Sequence, residues 1–201
     1  MFVLGITGNS GGGKSTLSKI LFEKNAYIID ADVLARRVLD IDVRAYGETV
    51  EFFGDSILNF DKTINRKALS DIVFGDKDKL SALSEITHKH ILNYIYDEIE
   101  EISEAGCHSL IVVDAPLLFE SGLDGACDAV WVVDAIYETK ISRIMERDGI
   151  SREKAAQRLE KQTPPEELVK RADHVIMNDF GLDYLVSEVE GMLLEFGLGT
   201  L

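Results

Sequence analysis

Eight residues near the amino terminus, Gly8-Asn9-Ser10-Gly11-Gly12-Gly13-Lys14-Ser15, fit the pattern G-x-x-x-x-G-K-S/T. A phosphate chain must be wrapped by backbone N–H groups at short range, where a Cβ atom would stand in the way. Gly8, Gly11, Gly12 and Gly13 are therefore read as supplying the turns at positive φ that such a wrap needs. A helix opening at Lys14 would add its first free N–H groups and its dipole, with Thr16 in the same turn. Lys14 would reach the outer phosphates as a mobile point charge, and the Ser15 hydroxyl suits Mg²⁺.

Charged residues further along could complete a phosphoryl-transfer site. Asp30-Ala31-Asp32 closes an apolar run, with Arg36 one helical turn on. An acceptor hydroxyl needs a carboxylate to orient it and take its proton; the same spacing also suits a helix cap and an ordinary i,i+4 surface pair. Asp114 ends another apolar run and could meet Mg²⁺ through water or cap the next turn. Glu120 could touch an acceptor or face solvent. Arg143 and Arg147 lie four apart, a spacing that fits stacking on a base and gripping phosphates, or plain solvated helix charge. His88 and His90 are two apart, which does not aim both from one helix face at a metal.

The elements that must hold these residues follow from periodicity. Residues 2–6 and 27–29 are short apolar runs, and residues 15–24 carry Leu17, Ile20 and Leu21 at helical spacing. Strand, glycine loop, helix and strand make the βαβ unit of a parallel sheet. Residues 31–106 lack strand-like runs; Leu83, Ile86, His90, Ile91, Tyr94 and Ile95 recur at three and four, which predicts a helical insertion. Strands return at 110–113 and 130–133, a helix follows at 137–147, a charged helical pair with Pro164-Pro165 occupies 148–171, and a fifth strand at 174–177 precedes an amphipathic helix at 182–196. The expected organisation is a core of 1–30, 107–147 and 172–201, an inserted lobe of 31–106 and a lid of 148–171. Trp131 is read as a sheet-packing residue.

Bulk properties narrow the classes. The chain has 201 residues, 46% of them apolar, enough for one α/β domain with an insertion. Asp and Glu number 36 against 21 Lys and Arg, a formal net charge of −15, which argues against nucleic acid as a partner. No apolar run is long enough for a membrane span. Cys107 and Cys127 form no C-x-x-C and are read as buried thiols of a cytoplasmic protein. No oligomeric state is set by the sequence.

The guanine-reading tetrad N-K-x-D is absent, and the chain is short with no apolar run ending in Asp-Glu. A helical insertion after the second strand and a later arginine-rich lid suit a small-molecule kinase. The order of motifs goes further. Asp30 to Arg36 behind the glycine loop, Arg66-Lys67-Ala68-Leu69 ending at Phe74, residues 83–91 with His88 inside, Asp114-Ala115-Pro116-Leu117-Leu118-Phe119-Glu120, Arg143 to Asp148, and Ala172-Asp173 followed by Asn178 together resemble the dephospho-coenzyme A kinase family. The resemblance spans nearly the whole chain.

It implies a P-loop three-layer α/β sandwich with a five-stranded parallel sheet, and ATP phosphorylating the ribose 3′-hydroxyl of dephospho-CoA with Mg²⁺. It further implies Asp32 as catalytic base with Lys14 and Arg147, a nucleotide site that includes Arg143 and Asn178, and an acceptor site of Arg36, Arg66, His88, Pro116, Leu117 and Glu120. Two departures stand out. Lys89 replaces the family's proline, and the stretch from Asn9 to Gly12 carries an added glycine that is expected to loosen the loop. Another nucleoside or nucleotide kinase, or a nucleotide-dependent regulatory switch, remains the alternative.

Overall fold

The computed structural model describes residues 1–198, so the last three positions of the expected core segment 172–201 lie outside the described residues. Five parallel strands form the sheet: β1 (Phe2–Thr7), β2 (Tyr27–Asp30), β3 (Leu110–Asp114), β4 (Ala129–Asp134) and β5 (His174–Met177), in the order β2-β3-β1-β4-β5. The inner strands read as unbroken apolar runs because both faces are covered. Register sets Ile6 beside Asp114, Asp114 beside Asp30, and Thr7 beside Val132. The carboxyl ends of neighbouring strands thus converge where ligands bind in open α/β sheets.

One sheet face is covered by α1 (Lys14–Glu23) and α9 (Leu182–Glu195). Leu17 and Leu21 from α1 and Leu185 and Val189 from α9 pack with Leu4, Ile6 and a fully buried Trp131. On the opposite face, Leu118 and Cys127 fill the space over Gly5. Helix α6 (Tyr137–Asp148) ends at Gly149, whose φ of 63° suits a left-handed cap. Two short helices follow, α7 (Arg152–Glu160), capped by Ser151, and α8 (Pro165–Arg171), which starts on a proline whose missing N–H costs nothing there. Ile141, Ile144 and Ala155 make a small core between α6 and α7.

The chain divides into two compact units, Met1–Asp30 with Ile99–Leu201, and Ala31–Glu98. The second holds α2 (Ala31–Ile41), α3 (Val43–Phe53), α4 (Arg66–Phe74) and most of α5 (Lys77–Ala105), around Val38, Ala45, Ile57 and Leu69. Asp42 caps α3 by accepting from the N–H groups of Arg44 (2.8 Å) and Ala45 (3.1 Å), and Asn65 caps α4. The boundary between units falls within α5 rather than at its end. That helix runs through Lys89 without a break, lysine keeping the backbone N–H that a proline would lack. His90 is buried on its inner side, with Nδ1 3.5 Å from Asp42 and Nε2 3.2 Å from Glu48.

The thiols differ from the sequence reading. Cys107, just beyond α5, is exposed, and only Cys127 is largely covered. Burial, and after it the charges of Asp124 and Asp128, push the Cys127 thiol up to about 12. No helix of the described residues is long and apolar enough to cross a membrane.

Candidate active site

The glycine loop links β1 to α1 and is shaped by what it touches from behind. Gly8, Gly11 and Gly13 hold positive φ, as the motif requires; Gly12 does not. A different constraint fixes Gly12: a Cβ there would stand 2.6 Å from the Val133 carbonyl oxygen. Gly13, at φ 108°, is the N-cap of α1, and a Cβ on it would run into the Asn178 amide. Thus the added glycine is packed tightly against β4 rather than left loose. No side chain caps α1 and no acidic residue sits in its first turn. The opening N–H groups and the positive dipole end are therefore offered to an anion. Ser15 and Thr16 are exposed on that turn.

Lys14 points at the end of β3. Its Nζ donates to Asp114 Oδ1, while the Ser18 hydroxyl donates to Asp114 Oδ2 and also lies 3.1 Å from the Lys14 carbonyl. Asp114 is 5% exposed. A carboxylate so buried needs these donors, and they place a cation and an anion together at the mouth of the loop.

Arg143 and Asn178 reach the loop from α6 and from the end of β5. Arg143 donates through Nη1 to the carbonyls of Gly11 (3.0 Å) and Gly12 (3.4 Å), and through Nη2 to the Asn178 carbonyl (2.7 Å). Asn178 Nδ2 donates to Gly12 O at 3.0 Å. These two residues brace carbonyls of the loop, and the Gly12 N–H is held by the Asn9 carbonyl at 3.0 Å. Arg147, one turn beyond Arg143, is directed elsewhere. It makes a two-pronged bond to Asp148 (2.8 and 2.9 Å), and Asp148 also takes Arg158. The hydrogen bonds raise Arg147 above its ordinary pKa and hold Asp148 below its own.

The connection between α7 and α8 meets the outer arm of the loop. Ser10 N–H donates to Gln162 Oε1 (3.0 Å), Gln162 Nε2 donates to Ser10 Oγ (3.2 Å), and Asn9 Nδ2 donates to the Thr163 carbonyl (3.0 Å). The Thr163 hydroxyl donates to Glu120, which follows β3. Pro116 accepts from the buried Thr7 hydroxyl at 3.1 Å, and Leu117 is 63% exposed.

In the helical unit, Asp32 stands exposed in the first turn of α2, two residues after Asp30, and Arg36 is exposed one turn later; no ion pair joins them. Arg66 opens α4 and pairs with Asp40 at 2.6 Å. His88 is exposed on α5.

Sequence reading overlooked Ser18, Gln162 and Thr163, and with them the contacts of Asn9 and Ser10. Ser18 carried a local signal, four residues after Lys14 on one helix. Gln162 carried none, because its partner is 152 positions away. The pair of buried Lys140 with half-buried Asp134 (2.7 Å) was also unanticipated.

Comparison with known proteins matches this geometry. The family model described as CoaE, dephospho-CoA kinase, matches residues 2–183. A dephospho-CoA kinase of Carboxydothermus hydrogenoformans is 42% identical over 181 residues, covering 90% of this chain and 87% of that protein. Among solved structures, dephospho-CoA kinase from Campylobacter jejuni superposes with a TM-score of 0.73 at 30% identity, over 99% of this chain and 98% of its own. TT1252 from Thermus thermophilus does so with a TM-score of 0.76 at 31%, over 96% and 97%. The chain belongs to the dephospho-CoA kinase family.

Proposed function

We propose that this chain transfers the γ-phosphoryl group of ATP to the ribose 3′-hydroxyl of dephospho-CoA, giving CoA and ADP, in the last step of coenzyme A synthesis in the cytoplasm. The observation that carries the reading is an uncapped helix α1 behind a glycine loop braced on its carbonyl side, in a chain of this family.

Catalysis here is positioning plus charge neutralisation. The N–H groups of the loop and Lys14 hold the triphosphate. Oxygen donors suit Mg²⁺, and the exposed Ser15 hydroxyl and the Asp114 carboxylate, the latter through water, are the residues that would hold it. When bound, the ion neutralises charge on the outer phosphates. Asp32 accepts the proton of the 3′-hydroxyl as the acceptor oxygen bonds phosphorus and the bond to the β-phosphate oxygen breaks. Arg36, Arg66 and His88 are assigned to the acceptor, with Pro116, Leu117 and Glu120 along the segment after β3. For Arg147 to neutralise transferring charge it must exchange Asp148 for phosphate, which a mobile lid allows. Thr16, Arg143 and Asn178 complete the nucleotide side.

The test is coupled ADP release with dephospho-CoA, adenosine, AMP and shikimate as acceptors. Release that depends on dephospho-CoA is expected. Preference for another acceptor would move the chain to a different substrate, and release independent of any acceptor would remove the kinase reading.

A further inference from the structure

Residues 8–13 of the phosphate loop include four glycines, and ordering each glycine costs more backbone entropy than any other residue. The loop has no side chains of its own between Gly11 and Gly13 with which to hold its shape. Its inner arm is tied by Arg143 and Asn178 to carbonyls. Its outer arm, Asn9 and Ser10, has one bond inside the loop, from the Gly12 N–H to the Asn9 carbonyl (3.0 Å), and its side-chain ties run to the turn between α7 and α8.

We infer that Gln162 is a positioning residue for phosphoryl transfer: its carboxamide clamps Ser10 and so holds the outer arm of the loop in the shape that receives ATP. Both ends of the amide are used. Oε1 accepts from the Ser10 N–H and Nε2 donates to the Ser10 hydroxyl, which fixes the orientation of the amide. The neighbouring contact from Asn9 to the Thr163 carbonyl locks the same turn, and Thr163 in turn bonds Glu120. Gln162 is anchored from its own side, since its N–H donates to the Leu159 carbonyl at 3.1 Å. One turn of the lid thus carries the order of the outer arm, and ATP meets a loop whose ordering cost is already met. This rests on the proposed binding of ATP at the loop.

The experiment measures the dissociation constant for ATP with Mg²⁺ by calorimetry, together with kcat, KM and the thermal midpoint, for wild type, Gln162→Ala, Gln162→Glu and Ser10→Ala with and without Gln162→Ala. Gln162→Ala should weaken ATP binding about ten-fold, the loss of two neutral hydrogen bonds. Its kcat at saturating ATP should fall less than its kcat/KM. Gln162→Glu keeps an acceptor for the Ser10 N–H and hydroxyl but brings a negative charge to the phosphate loop. It should bind ATP more weakly than Gln162→Ala, and the gap should narrow as salt rises. Ser10→Ala should cost little once Gln162→Ala is present. A lowered thermal midpoint with unchanged ATP affinity in both Gln162 variants would overturn the inference, as would additive effects of Ser10→Ala and Gln162→Ala. Failure of the wild type to bind ATP would instead overturn the reading of the loop itself.

Discussion

Asp114 and Lys14 bind one another at the mouth of the phosphate loop, with Ser18 on the second carboxylate oxygen. The ammonium proposed to meet the phosphates is thus paired with a buried anion. In the proposed reaction Asp114 would hold Lys14 in place and, through its charge, oppose a bare triphosphate. Bound Mg²⁺ would relieve that opposition.

Asp114→Asn removes the charge while keeping the shape. Affinity for ATP without Mg²⁺ should rise, on the order of ten-fold for one charge removed at partly screened range. Turnover with Mg²⁺ should fall. Calorimetry in the presence and absence of Mg²⁺ checks both; equal affinity for the two proteins without Mg²⁺ would remove the proposed opposition.

Asp32→Asn leaves the loop untouched and removes the proposed base. ATP affinity should stay within error of wild type while kcat falls by about 10²-fold or more. Steady-state kinetics with dephospho-CoA checks it, and near-normal turnover would move the base elsewhere.

Gly13→Ala places a methyl group against the Asn178 amide at a φ that alanine rarely adopts. The variant should lose about 1–3 kcal/mol of stability, read from the thermal or denaturant midpoint. It should also bind ATP less well, because Asn178 must leave the Gly12 carbonyl. Unchanged ATP affinity would separate that brace from nucleotide binding.

How much of this was legible beforehand depended on distance along the chain. The glycine loop and the strands beside it could be read because their signals are local: a fixed spacing, unbroken apolar runs, helical periodicity in Leu17, Ile20 and Leu21. The role of Gly12 could not, since what it avoids is the Val133 carbonyl on another strand. Arg143 and Arg147 show the same limit. Their spacing placed them on one helix face, yet Arg143 packs on loop carbonyls while Arg147 turns to its neighbour Asp148. Cys107 was read as buried because two cysteines without a C-x-x-C suggest plain thiols of a reducing compartment, but it falls in the exposed connection that follows Gly106.

Acid should weaken the helical unit through Asp42. Burial raises the pKa of this carboxyl, but the N–H bonds from Ala45 and Arg44 and the nearby His90 and Arg44 outweigh it, and the net position is below the ordinary 3.8. A depressed carboxylate contributes stability that is complete above its unfolded value and is lost as pH falls through its folded value. Asn caps a helix without the charge. The stability gap between wild type and Asp42→Asn should therefore be roughly 1 kcal/mol near neutrality and should shrink below pH 3.8. Midpoints from circular dichroism across that range decide it; a gap independent of pH would contradict the assignment.

The most direct measurement is the product itself. Purified protein, ATP with Mg²⁺ and dephospho-CoA should yield one ADP for each CoA formed, with the new phosphate on the ribose 3′-oxygen by phosphorus NMR. Lys14→Ala should abolish nearly all of it. ADP formed at the same rate without dephospho-CoA, or phosphate attached at another position, would contradict the account.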